Sequence, residues 1–147
     1  MKIRFLGILL FVGLFSLAGN AQESFNGRSF SGIKNDYNSV GMVAHVKIKE
    51  IKLAASDIHP LYAVESEIVE TFKGAAQKGR TFTFYFRAEE DYNVKRSVGK
   101  EWIVFLEREA PVPTGGKGWY ELENSKLTPS TKLNSRLRKL KNTAKKV

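Results

Sequence analysis

His45 and His59 are the only imidazoles in the chain, and no cysteine accompanies them. A catalytic zinc site takes three protein ligands converging on one point, so two histidines alone predict no metal centre. The missing thiols exclude disulfides, thiolate metal sites and a thiol nucleophile. His45 falls on the polar side of an alternating stretch and His59 in the turn Asp57-Ile-His-Pro60, so both read as surface histidines. Asp57, His59 and a serine could be written down as a triad. Nothing near them has the strand-turn-helix frame of a nucleophile elbow.

The other chemical candidates are weaker still. Glu89-Glu90-Asp91 lacks the alternating oxygen spacing of a calcium loop and reads as a solvated turn. Glu65 and Glu67 share one strand face and read as surface pairing of little energetic weight. Gly115-Gly116-Lys117-Gly118 holds a lysine among glycines but not the strand-loop-helix context of a phosphate cradle. The expectation is a protein with no catalytic residue, no cofactor and no metal.

Binding side chains are easier to find. Tyr85 with Arg87, and Trp119-Tyr120 beside Lys117, pair aromatic rings with cations, as stacking surfaces for sugars or bases do. Phe82, Phe84, Phe86 and Trp102 read as core instead. Lys132, Arg136 and Lys139 belong to a basic C-terminal segment suited to acidic surfaces.

These side chains need elements to hold them. Val40–Leu53 alternates with Val40, Met42, Ala44, Val46 and Ile48 on one side, the period of a half-buried strand. After Lys49 the phase slips to Ile51 and Leu53, which predicts a bulge near Lys49–Glu50. A long first strand with a bend can pair with both halves of a small barrel. Leu61–Phe72 is the second strand, with Tyr62, Val64, Ser66, Ile68 and Phe72 on one face. Thr81–Arg87 is the third, and its three phenylalanines point one way. Lys100–Arg108 is apolar on both faces, as a central strand is, and Trp119–Glu123 is a short fifth.

Thr131–Ala144 reads as a helix. Leu133, Leu137, Leu140 and Ala144 form a narrow stripe that suits docking on a barrel better than entering a bilayer. Its basic residues, including Lys145 and Lys146, lie off that stripe. The fold expected is mainly β: a five-stranded OB-like Greek-key barrel over 40–128, with an irregular lead-in over 22–39 and a basic amphipathic helix over 129–147.

Residues 1–21 set the expected compartment. Lys2 and Arg4 precede the apolar run Phe5–Ala18, and Gly19-Asn20-Ala21 supplies small residues for cleavage. As a helix that run would reach only about 21 Å, short of the roughly 30 Å hydrocarbon layer. A signal peptide cleaved near Ala21 is therefore expected, giving an exported protein, periplasmic or secreted, that starts at Gln22. The chain carries a formal charge of +9, and the mature protein about +7. Such an excess favours anionic lipid or glycan, while export argues against nucleic acid as the partner.

Three segments together resemble a known family. Val43-Ala-His-Val-Lys-Ile-Lys-Glu-Ile51, the run from Tyr62 to Glu70-Thr-Phe-Lys-Gly74, and Val98-Gly-Lys-Glu-Trp-Ile-Val-Phe-Leu106 look like the core of the netrin-like module. That module includes the tissue inhibitors of metalloproteinases and exported bacterial relatives, and this chain resembles a cysteine-free bacterial type. The resemblance implies an OB-like barrel without catalysis of its own that binds a protein partner, a protease being one class of partner. In the animal inhibitors an N-terminal cysteine reaches the protease zinc. This chain has Gln22-Glu-Ser in that place, so no inhibitory residue carries over. The alternative reading is an envelope-surface module held to anionic lipid or glycan by the basic helix.

Overall fold

The computed structural model describes residues 23–89 and 92–145, without the side chain of Arg108. The expected signal peptide, Glu90, Asp91 and Lys146 lie outside the described residues. In chain order the elements are β1 (Ser24–Phe25), β2 (Arg28–Ser29), α1 (Phe30–Ser39), β3 (Met42–Ala55), β4 (Leu61–Lys73), β5 (Thr81–Arg87), β6 (Glu101–Pro111), β7 (Lys117–Glu121) and α2 (Thr131–Ala144). A 3-10 turn, Val94–Arg96, interrupts the loop after β5.

The protein is mainly β. Strands β3 to β7 close into one ring in the order β3-β4-β5-β7-β6. Strand β3 closes it by pairing twice, with β4 along its length and with β6 through Met42–Lys47. Every contact is antiparallel except β5 with β7, where Phe84 faces Trp119 and Tyr85 faces Tyr120.

The bend in β3 comes from an extra residue. Ile48 pairs with Ser66 and Glu50 with Glu65, so Lys49 has no opposite number. Met42, Ala44, Val46 and Ile48 line the barrel interior up to that point, and Ile51 packs on the same core beyond it. The pairing also skips Val69 and Phe72 on β4. Each skipped residue reverses which side chains turn inward. Phe72 was expected to share the face of Tyr62, Val64 and Ile68, but after those two bulges it joins the core outside the barrel. Period-2 counting cannot place a residue beyond an unrecognised bulge.

That outer core explains the two apolar faces of β6. Trp102, Val104 and Leu106 belong to the interior, while Ile103 and Phe105 point outward to meet Ile33, Tyr37, Leu133 and Leu137. Both helices thus cover the outward side of β3 and β6. Leu133 and Leu137 are fully buried, and Ser130 caps α2 by accepting the Leu133 N–H at 3.2 Å.

Residues 22–39 are not the irregular lead-in that their composition predicts. Asn26 and Gly27, both with positive φ (51° and 76°), turn β1 into β2, the backbone a tight two-residue hairpin needs. Ser29 then caps α1 by accepting the Gly32 N–H at 3.2 Å. Gly32, Asn35, Asp36 and Asn38 are poor helix formers, which hides the helix from propensity. Burial of Ile33 and Tyr37, one turn apart, stabilises it. Tyr37 donates its hydroxyl to the Phe72 carbonyl at 2.8 Å, and Lys73 donates to the Tyr37 and Asn38 carbonyls at the helix end. The fifth barrel strand begins at Lys117, two residues before its expected start.

Candidate binding cleft at the barrel rim

Three loops meet at one end of the barrel. They follow β3 (56–60), β5 (88–100) and β7 (122–130), and a cleft of about 960 Å³ opens among them. His59 lines it from the first loop, Glu89 and Tyr92 from the second, and Glu123, Asn124 and Lys126 from the third, with Pro111 at the end of β6 beside them. That volume falls in the range of small-molecule and side-chain pockets.

The floor of the cleft holds an ion pair. Trp119 on β7 packs on the interior core, and alternation puts Glu121, two residues on, on that same inward face. The Glu121 side chain is only 3% exposed. Lys126 follows in the next loop, and its Nζ lies 3.4 Å from Glu121 Oε2. The same ammonium sits 3.7 Å from the centre of the Phe86 ring, 4.7 Å from Trp102 and 5.7 Å from Tyr92. Three aromatic faces and a carboxylate make a box that suits a cation. Glu121 Oε1 is buried with no hydrogen-bond partner among the described residues.

Burial dominates the electrostatics here. Loss of water pushes the Glu121 carboxyl up to about 7, against the opposing pull of Lys126. Burial also lowers the Lys126 ammonium, with Glu121 opposing. The Tyr92 phenol is raised by burial, against its hydrogen bond with Ser97 at 2.7 Å. Such a site can exchange a proton near neutral pH and hold positive charge.

The residues singled out in the sequence fare differently. Tyr85 and Arg87 reach the cleft, but neither is an open platform. Tyr85 is 7% exposed, stacks on Tyr120 at 5.5 Å between centres, and lies over Gly118, where a Cβ would come within 2.7 Å of its ring. The Tyr85–Tyr120 stack forms one wall. Arg87 donates to the His59 carbonyl at 2.7 Å and approaches Asp57, which pins the loop after β3. Trp119 does not join them. Its ring rests on Gly41, where an added Cβ would stand 2.9 Å away, and packs half-buried against the interior core, away from the cleft lining.

On α2, Lys132 and Arg136 clamp the two oxygens of Glu23 at 2.7 and 2.6 Å. Arg136 also lies over the Phe30 ring at 5.4 Å. These cations tie α2 to the N-terminal hairpin and hold the Glu23 carboxyl below its usual value, Lys132 first. Lys139 is exposed and makes no ion pair among the described residues. Arg138 grips Glu70 through two bonds of 2.7 Å.

His45, expected on the surface, is 7% exposed because α2 covers its face of β3. Its Nε2 lies 2.8 Å from Glu101 Oε2, and the Asn134 amide approaches Nδ1 at 3.4 Å. An amide N–H donating to Nδ1 leaves Nε2 to carry the proton toward the carboxylate. Among the described residues no three histidine, aspartate or glutamate side chains stand close enough to hold a metal ion.

Sequence reasoning missed Glu121 and Lys126. A glutamate in phase with Trp119 on a strand was the available signal for the first. Lys126 had none, since its place depends on how the loop after β7 folds back. Compared with known proteins, the chain matches no family model and no curated sequence.

Proposed function

We propose that this chain is an exported, non-enzymatic binding module on an OB-type, netrin-like barrel. It engages a protein partner in the cell envelope or outside the cell through the rim cleft. Strand order supports the OB assignment: a bent first strand pairs with the second and fourth, and the third runs parallel to the fifth. The observation that carries the functional reading is the convergence of three loops around a cleft with an aromatic wall and a charged floor. Such a barrel places ligands on the face of its second and third strands and at the loop after the first, and Tyr85, Arg87 and His59 line the cleft from that third strand and that loop.

Photo-crosslinking tests it. A crosslinking side chain at Tyr120 or Glu123, on the cleft, should trap one discrete envelope protein. The same group at Lys139, on the far helix, should not. Crosslinks from Lys139 alone would transfer the contact to α2. Purified metalloproteases belong among the partners tried.

The exposed cations of α2 favour the second reading, attachment to anionic lipid or glycan. Glu23 already occupies Lys132 and Arg136, and Glu70 occupies Arg138. Glu23→Gln frees two of these cations, so under that reading retention on anionic vesicles should rise and then fall steeply with salt. Unchanged retention would rule the helix out as the contact.

A further inference from the structure

We propose that the rim cleft receives the side-chain ammonium of a lysine presented by the partner protein, seated on Glu121 Oε1. The inference rests on the cleft being the partner surface and names the chemistry that it recognises.

The first ground is the orphaned acceptor. Glu121 lines the cleft with a side chain 3% exposed; Lys126 faces Oε2, and Oε1 is buried without a partner among the described residues. A carboxylate accepts at both oxygens, and a buried one left half-satisfied is destabilising until a donor arrives.

Local charge is the second. Glu89, Glu107, Glu109 and Glu123 line the same cleft as Glu121. On a chain of formal charge +9 this is a concentration of carboxylates. Both lining cations are already committed, Arg87 to Asp57 and the His59 carbonyl, Lys126 to its aromatic box. An incoming anion would meet four carboxylates and the partly protonated Glu121, whereas an incoming cation complements them.

Geometry then selects among cations. Among the described residues no three of these carboxylates group closely enough to hold a metal ion. A guanidinium binds carboxylate best through a two-bond fork, and Glu121 offers one unpartnered oxygen. An ammonium is a point donor and needs only one. Its methylene stem would lie along Tyr85, Tyr120, Ala110 and Pro111, the less polar wall.

The test uses Nα-acetyl-lysine N-methylamide as probe, with its norleucine and arginine counterparts, followed in amide and indole NMR spectra of the protein at constant ionic strength. The lysine probe should give saturable shifts at the Trp102 indole and the Tyr120 and Glu121 amides, about tenfold tighter than norleucine. Glu121→Gln should abolish that preference. Lys126→Met, which removes the competing ammonium but keeps the carboxyl group, should retain the preference. A preference lost in one variant and kept in the other is not what a folding defect produces. Equal shifts from norleucine, a preference for arginine, or lysine binding that survives Glu121→Gln would overturn the proposal. Cleft crosslinking without a lysine response overturns the ammonium assignment only. A lysine response without cleft crosslinking overturns the partner reading instead.

Discussion

Glu121 Oε2 and Lys126 Nζ stand 3.4 Å apart at the mouth of the barrel, with the ammonium over the face of Phe86. Neither charge has enough water around it to be neutral in its effect on stability. Burial raises Glu121 from 4.5 to about 7, so the folded protein holds a proton there that the unfolded chain has released. The stabilising share of Glu121 is therefore present below about pH 4.5 and is lost as pH rises to 7. Replacement by Gln removes this titration, while Lys126, Glu107, Glu109 and Glu123 remain in both proteins. Across that window the variant should gain on the wild type by on the order of 3 kcal/mol. Urea unfolding at pH 4.5, 6 and 7.5 checks it, and parallel pH profiles would contradict it.

The Tyr37 hydroxyl holds α1 to the bulged end of β4 through the Phe72 carbonyl. Tyr37→Phe keeps the ring in the outer core but leaves that buried carbonyl short of a donor. A loss of about 1–3 kcal/mol is expected, read from chemical denaturation.

Leu137 tests whether α2 is part of the fold or an appendage. Its side chain is fully buried among Ile33, Phe105 and Leu133, so Leu137→Ala should cost about 2–5 kcal/mol. Lys139→Ala, on the exposed side of the same helix, should change stability by less than about 0.5 kcal/mol. Similar values for the two would mean that the helix contributes little to the core.

Gly118 is the closest approach in the cleft wall. A methyl group there would press on the Tyr85 ring at 2.7 Å and on Val112 at 2.8 Å. Gly118→Ala should destabilise by about 1–3 kcal/mol and break the Tyr85–Tyr120 stack. A calorimetric melt gives the first effect, and altered aromatic ring shifts in the NMR spectrum give the second.

Much of the barrel was legible in the chain. The bend at Lys49, the three inward phenylalanines of β5 and the two-faced character of β6 follow from alternation, a property of neighbouring residues. The N-terminal helix was not, although Asn26-Gly27, Ser29 and the Ile33–Tyr37 spacing were there to be read. Its stability comes from a surface on β3 and β6 that alternation alone does not assign to it. Ring type made Tyr85 and Trp119 visible in the sequence, whereas the close packing of Tyr85 over Gly118 and of Trp119 on Gly41 depends on glycines whose approach no local pattern announces.

By itself the sequence determined the five barrel strands, most of their inward faces, the leucine stripe of α2, the lack of thiol chemistry and the excess of positive charge. Each is a matter of composition or of residues a few places apart. Tertiary structure alone decided that His45 is covered, that Glu23 gathers Lys132 and Arg136, and that Glu121 meets Lys126 beneath three loops. Burial and charge pairing depend on which distant segments fold over a side chain, and closing the barrel is what brings those segments together.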